Sequence, residues 1–274
     1  MRAARLTPVS DPQDPRLAPY RAVRERDLVG REGRFVVEGE VVLRLALARG
    51  RFALESVLLV PARAAALADA LARLPEDVPV YCAEPSVMAA VAGFPIHRGV
   101  LAIGLRGEEP DADALLASLP EEALVVALVG LANHDNVGGI FRNAAAFGAD
   151  AVLLDAETCD PLYRKAIRVS VGAALTVPFA RAGGATALVD ALERAGIVPL
   201  ALSPRGREGL GALGADPPRR AALVLGAEGP GLPDAVLART RTVSIAMAGD
   251  FDSLNVAVAS GIALHALAGP RLRV

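Results

Sequence analysis

The chain has 274 residues, 53% hydrophobic and 22% charged, which allows one large core or two ordinary ones and excludes wholesale disorder. The 29 basic and 31 acidic residues give a net charge of −2, which excludes a polybasic protein that binds nucleic acid by bulk charge. The only cysteines are Cys82 and Cys159, and the N-terminus has no apolar stretch. We therefore expect a soluble cytoplasmic protein without a disulfide framework or membrane segment.

Apolar runs alternate with helical patterns in the first hundred residues. Strands are predicted at 34–38, 55–60, 78–81 and 99–104, and helices at 41–48, 62–74 and 85–92. This alternation indicates an α/β layer structure. The stretch 106–122 is acidic and contains prolines, which is typical of a linker with room for a short helix.

The rest of the chain repeats the alternation with longer apolar runs. Strands are predicted at 124–130, 151–154, 175–179, 197–202, 222–225 and 242–245, and helices at 138–147, 184–195 and 254–268. Continuous apolar strands separated by helices predict a parallel sheet that is covered on both faces and binds ligands beyond the carboxyl ends of its strands. A GxGxxG match at 209–214 follows polar residues instead of a strand, so it is interpreted as a flexible loop.

Charge is distributed unevenly along the chain. Residues 1–106 hold 15 basic and 12 acidic side chains, a net charge of +3, whereas residues 107–274 hold 14 basic and 19 acidic ones, a net charge of −5. A surface that faces a polyanion is therefore favoured on the N-terminal part.

The first segment whose residues could carry a chemical function directly follows an apolar strand. It is NHDNVGGIFRNAAAFG at 133–148. It holds three of the four asparagines in the chain and places Asn136 six residues before Arg142. Arg142 stands among small and apolar residues. The plain structural interpretation is a capping asparagine followed by an arginine that reaches solvent.

Two later segments could also carry a chemical function. In LGAEGPGLP at 225–233 a strand ends in a glycine-rich loop with one acid, Glu228, so the backbone can approach a ligand closely. In DSLNVAVA at 252–259, Ser253 and Asn255 stand at the positive start of a charge-free helix. The plain interpretations are an ordinary loop and an ordinary N-cap.

In combination the three segments closely resemble the three motifs of the SpoU (TrmH-type) RNA ribose 2′-O-methyltransferases, over residues 122–270. Residues 163–178 are similar to the stretch that this family carries between its first and second motifs. Residues 35–40 and 97–102 resemble the family's substrate-binding domain, which is itself similar to kink-turn-binding ribosomal proteins. Ala246 departs from the pattern, because the family usually has proline there, and this puts the rigidity of that loop in doubt.

The resemblance implies an α/β fold of the SPOUT type, a parallel sheet with a deep trefoil knot, which is a rare exception to ordinary topology. It implies three parts: an RNA-binding α/β domain at 1–106, a linker at 107–122 and a catalytic domain at 123–274. It also implies a homodimer whose active sites are completed at the interface. The helix 254–268 suits that interface, because it is apolar on nearly all sides.

The chemistry that the resemblance implies is transfer of a methyl group from S-adenosylmethionine to a ribose 2′-hydroxyl of RNA, without a metal. Ribosomal RNA is favoured over tRNA, because the N-terminal domain is separate. The residues expected to contact the cofactor are Gly226, Gly231, Ile245, Met247 and Leu254. The expected catalytic residues are Arg142, Asn136, Glu228, Ser253 and Asn255.

Arg142 is expected to hold the hydroxyl and the adjacent phosphate and to stabilise the developing alkoxide, since a guanidinium rarely loses its proton. Two alternatives stay open. One is a catalytically silent RNA-binding or assembly factor, which would be expected to lack Arg142 or the cofactor glycines. The other is an enzyme of the same fold that methylates a base, although the pairing of Asn136 with Arg142 and the SLN segment favour ribose.

Overall fold

The computed structural model describes residues 5–21, 25–93, 96, 98–248 and 253–269. The chain divides into two compact units. The first comprises Met1–Glu108 and Leu162–Thr176, and the second comprises Glu109–Pro161 and Val177–Val274. His97, which contributes to the resemblance above, lies outside the described residues. Within the described ranges, no helix is both long and apolar enough to span a membrane.

The first part of the chain forms strands and helices in close alternation. In order they are β1 (Leu6–Pro8), α1 (Glu25–Gly30), β2 (Arg34–Glu38), α2 (Glu40–Arg49), β3 (Leu54–Leu59), α3 (Pro61–Ala64), α4 (Ala68–Leu71), β4 (Val80–Cys82), α5 (Pro85–Ala92) and β5 (Val100–Leu105), with a 3₁₀ helix at Pro15–Tyr20. The strands form one sheet in the order β1-β4-β3-β5-β2, in which β5 is antiparallel to both of its neighbours. Buried Tyr20 and Ser56 share a hydrogen bond of 2.7 Å beneath this sheet.

The prediction of a single helix at 62–74 is wrong. The segment forms the two four-residue helices α3 and α4, with Leu67 between them in a non-helical conformation (φ −103°, ψ 2°). Leu67 is completely buried. The packing of this side chain overrides the high helix propensity of the alanine-rich sequence.

The remaining elements follow in the same alternating manner. They are α6 (Ala112–Ala117), β6 (Ala123–Val129), α7 (His134–Ala146), β7 (Ala151–Leu154), α8 (Arg164–Val169), β8 (Phe179–Arg181), α9 (Ala185–Arg194), β9 (Val198–Leu202), β10 (Glu208–Gly209), α10 (Leu210–Ala215), β11 (Arg220–Gly226), α11 (Asp234–Leu237), β12 (Arg241–Ser244) and α12 (Val256–Ala268). Helix α8 and a 3₁₀ turn at Ala173–Leu175 belong to the first unit. Helix α6 belongs to the second unit, and Leu116 on it is fully buried in that unit's core.

The seven strands of the second unit form a fully parallel sheet in the order β10-β12-β9-β11-β6-β7-β8. All seven residues of β6 are buried, because this strand lies between β11 and β7 and both of its faces are covered. The predicted α/β class with a parallel sheet is confirmed. The trefoil knot stays a prediction from the resemblance.

Three predictions for residues 107–274 need correction. The run 175–179 is not a strand; the 3₁₀ turn ends at Leu175 and β8 begins at Phe179, after Pro178. A short apolar run does not by itself distinguish a strand from a buried helical turn. Helix α7 begins at His134 instead of 138, because Asn133 is its N-cap. The GxGxxG stretch is not a flexible loop, since it forms β10 and α10, with Leu210 and Leu213 buried.

Helices α7 and α12 pack side by side in the same direction along a line of small residues. A Cβ atom at Gly139 would lie 2.8 Å from the Cβ of Ala257, so the backbones approach closely there. One turn further, Asn143 donates hydrogen bonds to the Ala257 carbonyl (2.7 Å) and to the Ser260 hydroxyl (2.9 Å). These contacts fix the register of the first turns of the two helices.

Candidate functional site

A cavity of about 440 Å³ opens at the carboxyl ends of β9, β11 and β12. Ligand sites of open parallel sheets are found at this edge. The cavity walls come from four segments of the second unit: residues 202–204, 225–232, 245–247 and 253–259. Its volume lies within the range of pockets that hold drug-sized ligands and cofactors.

Gly226 ends β11 at the wall of this cavity, where the chain turns back on itself. A Cβ atom at Gly226 would lie 2.6 Å from the Gly231 carbonyl carbon and from the Leu232 nitrogen. The turn is closed by a hydrogen bond of 3.0 Å from the Gly231 N–H to the Ala227 carbonyl. The glycine-rich loop is therefore tightly folded, and only glycine fits at position 226 without moving the backbone.

The polar end of the cavity is organised by Asn255, the N-cap of α12. Its Oδ1 accepts hydrogen bonds from the backbone N–H groups of Ala257 (3.0 Å) and Val258 (3.3 Å). Its Nδ2 donates to Asn136 Oδ1 (2.9 Å) and to Glu228 Oε1 (3.0 Å). One side chain thus joins all three predicted motif segments.

Asn136 and Glu228 differ in their surroundings. Asn136 lies in the first turn of α7 and is only 6% exposed, so its side of the hydrogen bond to Asn255 is buried. Glu228 is exposed, and its second oxygen, Oε2, makes no hydrogen bond to a described residue. Glu228 therefore presents a free acceptor at the mouth of the cavity.

The five predicted cofactor residues, Gly226, Gly231, Ile245, Met247 and Leu254, all line the cavity. Of the predicted catalytic residues, Glu228, Ser253 and Asn255 line it as well. Asn136 is connected to it through Asn255.

Arg142 is the exception among the predicted site residues. It does not line the cavity of its own chain and is exposed on α7. Its side chain forms no ion pair or hydrogen bond within the described ranges. Since Asn136 and Arg142 are both in the helix, their six-residue separation places them about 120° apart around its axis. Arg142 therefore points to a different side of α7 from Asn136, and its exposure agrees with the plain interpretation of an arginine that reaches solvent.

Two residues that support the site have no assigned role in the sequence analysis. The first is Asn143, whose hydrogen bonds hold α7 against α12. The second is Asp155, buried at the end of β7, which accepts hydrogen bonds from the Gly130 N–H (3.0 Å) and from the Thr158 N–H and hydroxyl (2.8 and 2.7 Å). Asp155 fixes the turn between β6 and α7. Two features of the sequence could have identified these residues: asparagine is rare in this chain, and Asp155 directly follows an apolar strand.

Comparison with known proteins assigns the chain to a family. The sequence model of the SpoU rRNA methylase family matches residues 123–265. An uncharacterised tRNA/rRNA methyltransferase of Mycobacterium tuberculosis is 40% identical over 267 residues, which cover 94% of this chain and 90% of the relative. Another, from Synechocystis, is 28% identical and covers 95% of this chain and 93% of the relative. The chain belongs to the SpoU family.

Solved structures show the same fold. The SpoU methyltransferase AviRb of Streptomyces viridochromogenes, in complex with S-adenosylmethionine, is 25% identical with a TM-score of 0.78, and the match covers 94% of this chain and 99% of that one. An S-adenosylmethionine-bound rRNA methyltransferase of Sinorhizobium meliloti has a TM-score of 0.81 at 23% identity, over 98% of this chain and 99% of that one. The chain is an RNA methyltransferase of the SpoU family, with S-adenosylmethionine as its methyl donor.

Proposed function

We propose that this methyltransferase modifies a ribose 2′-hydroxyl of RNA, with ribosomal RNA as the favoured substrate. The observation that carries the proposal is the hydrogen-bonded group of Asn136, Asn255 and Glu228 at the mouth of the cavity. These are amide and carboxylate groups that hydrogen-bond a hydroxyl. The cavity beside them has the size and the glycine-lined wall that a cofactor requires.

The cavity residues fit S-adenosylmethionine in their chemistry. Apolar side chains, among them Ile245 and Leu254, suit the adenine ring, and the tight turn at Gly226 brings backbone groups close to a ligand. When bound, S-adenosylmethionine supplies an electrophilic methyl group on a positively charged sulfur. Among the described residues that line the cavity, Glu228 carries the negative charge.

The residues of the chain have to orient the hydroxyl and stabilise the charge that develops on it. Glu228 Oε2 is free to accept a hydrogen bond from the ribose hydroxyl, and then its proton as the methyl group is transferred to the oxygen, while Asn255 holds the opposite carboxylate oxygen in place. Arg142 is proposed to contact the hydroxyl and its adjacent phosphate through its planar guanidinium. A donor aimed at the developing alkoxide lowers the energy of the transition state.

A second copy of the chain is proposed to bring Arg142 to the cavity, because Arg142 does not line the cavity of its own chain. Val258 and Ile262 are 55% and 42% exposed and stand four residues apart on α12, so they form an apolar stripe on this helix. Leu254, which is 41% exposed, directly precedes the N-cap of the helix. A stripe of this kind is suited to burial in a homodimer. Val258→Asp combined with Ile262→Asp should convert a dimer into a monomer in sedimentation equilibrium.

The two alternatives predict different products. A base methyltransferase would need groups that read a base edge, whereas the free acceptor at Glu228 and the neutral amides suit a hydroxyl. A catalytically silent RNA-binding factor would not need the cofactor turn, which is intact at Gly226 and Gly231. Residues 1–106 are proposed to bind RNA because they have a net charge of +3.

The test is to incubate the protein with methyl-labelled S-adenosylmethionine and RNA from a strain that lacks the gene, separated into large rRNA, small rRNA and tRNA. The labelled RNA is then digested to nucleosides, and 2′-O-methylnucleosides are separated from base-methylated ones. We expect the label in a 2′-O-methylnucleoside of an rRNA fraction. Label on a base would support the base-methylating alternative. Cofactor binding without transfer to any fraction would support the silent factor.

A further inference from the structure

The described arginines of the second unit fall into two groups: those whose side chains have a protein partner among the described residues and those whose side chains have none. Nine lie among its described residues. Five form ion pairs with carboxylates: Arg181, Arg194, Arg219, Arg239 and Arg241. Arg220 donates to the carbonyls of Pro120 and Leu116. The other three, Arg142, Arg205 and Arg207, have no hydrogen bond or ion pair from their side chains to any described residue.

Arg205 and Arg207 stand in a rigid loop beside the cofactor cavity. They directly follow Ser203 and Pro204, which line the cavity. The Ser203 N–H donates to the Val243 carbonyl (2.9 Å) and the Gly206 N–H to the Ser203 carbonyl (2.9 Å). The loop is therefore tied to β12 and folded on itself.

Two further contacts complete the anchoring of the loop. The Arg207 N–H donates to Thr242 Oγ1 (3.2 Å). Gly206 lies so close to the backbone of Val243 and Ser244 that a Cβ atom would collide with it. Because the backbone is held, the two exposed arginine side chains start from fixed positions one and three residues after Pro204 in the cavity wall.

The side chains of Arg205 and Arg207, unpaired among the described residues, are unusual because they belong to an acidic unit. The second unit has 11 basic and 18 acidic residues, a net charge of −7. The neighbouring acid, Glu208 at the start of β10, accepts hydrogen bonds from Arg241 Nε (3.1 Å) and Nη2 (2.7 Å), and these bonds lower the pKa of Glu208. Glu208 therefore does not neutralise Arg205 or Arg207. An acidic unit repels a polyanion, so a substrate RNA needs local positive charge where it meets the cavity.

We propose that Arg205 and Arg207 bind backbone phosphates of the substrate RNA next to the nucleotide that enters the site. This proposal rests on the proposed function of RNA ribose methylation. A guanidinium bonds a phosphate through two parallel N–H groups, and its position on a held loop reduces the entropy lost on binding. The second unit thus contributes to RNA binding directly at the cavity, in addition to any contribution of the first unit.

The test compares Arg205→Gln/Arg207→Gln with the matched pair Arg194→Gln/Arg239→Gln, which removes the same charge from ion-paired arginines of the same unit. The affinity for fluorescein-labelled oligouridylate is measured as a function of KCl concentration. Each phosphate contact to a single strand contributes about 0.7 to the slope of log affinity against log salt, so the loop pair should lower this slope by about 1.4. The advantage of the wild type over the loop variant should then fall about sevenfold between 50 and 200 mM salt. The matched pair should keep the wild-type slope.

Two further measurements make the result decisive. Arg205→Lys/Arg207→Lys keeps both charges and should restore most of the slope, and calorimetric affinity for S-adenosylmethionine should be the same in every variant. An unchanged slope in the loop variant, or an equal loss in the matched pair, overturns the proposal. A loss of cofactor affinity in the loop variant also overturns it, because the arginines would then serve the cofactor. Failure of the wild type to methylate ribose contradicts the proposed function alone, since the salt slopes are measured independently of transfer.

Discussion

The two ends of the Asn255 side chain can be separated by mutation. Its oxygen caps α12, and its nitrogen donates to Asn136 and Glu228. Asn255→Asp and Asn255→Ser both keep an oxygen that can cap the helix, and the three residue types are about equally good N-caps. Neither keeps the amide N–H₂ that reaches Asn136 and Glu228: an ionised aspartate has no donor, and the shorter serine hydroxyl stays at the helix cap. Asn255→Asp also places a second carboxylate against Glu228.

The expected destabilisation follows from the burial of the two partners. Buried Asn136 loses its donor in both variants, and an unsatisfied buried acceptor costs about 1–3 kcal/mol. The exposed Glu228 adds a repulsion in Asn255→Asp alone, of about 1 kcal/mol or less, because water and salt screen it. The combined destabilisation is a large part of the free energy of unfolding of a typical domain, which is about 5–15 kcal/mol.

The pH dependence has a definite sign. The repulsion between the two carboxylates exists only when both are ionised, so it destabilises the folded variant at neutral pH and vanishes once either group is protonated. Asn255→Asp should therefore match Asn255→Ser near pH 4 and become the less stable of the two as the pH rises to 7. Urea unfolding followed by circular dichroism measures the difference at each pH.

Asn133→Asp is the matched control for these variants. Asn133 is the N-cap of α7, is exposed and accepts from the Asp135 N–H at 2.8 Å. Its replacement should change the free energy of unfolding by about 0.5 kcal/mol or less, since an N-cap aspartate is as good as asparagine. If Asn255→Asp is as stable as the wild type at pH 7 and binds the cofactor normally, the bridging role of Asn255 is refuted.

Other variants test separate parts of the site. Arg142→Ala should lower kcat by about 10²–10³-fold, and Arg142→Lys nearly as much, whereas calorimetry should find the cofactor affinity unchanged, because the proposed contacts of Arg142 are with the RNA hydroxyl and phosphate. Near-normal turnover of the alanine variant would assign the catalytic role to another residue. Gly226→Ala should abolish the heat of cofactor binding, because its Cβ would displace the Gly231 backbone, and normal binding would contradict the tight turn. Burial raises the pKa of Cys159 to about 11. Because the thiolate is the reactive form, iodoacetamide should alkylate Cys159 about 100-fold more slowly at pH 8 than an ordinary thiol. Rapid labelling would show that the thiol is open to water.

Local patterns in the sequence identified most elements of the second unit and the segments of its site. The continuous apolar run at β6 predicts a strand buried on both faces, and all of its residues are buried. The glycine-rich stretch after β11 and the polar start of α12 predict a ligand site, and both line the cavity. These predictions succeed because hydrophobic periodicity, glycine and helix caps act between residues that are close in the chain.

Only the tertiary structure decided how the segments meet. The bond between Asn255 and Asn136 joins residues 119 positions apart, and the register that permits it depends on the close approach of Gly139 to Ala257 and on the hydrogen bonds of Asn143. The sequence likewise contains Arg142 but does not show that it is exposed and away from its own cavity. Such contacts depend on the packing of whole helices and strands, which no local pattern records, so residue types and spacing determine the kind of site while the fold determines which atoms touch.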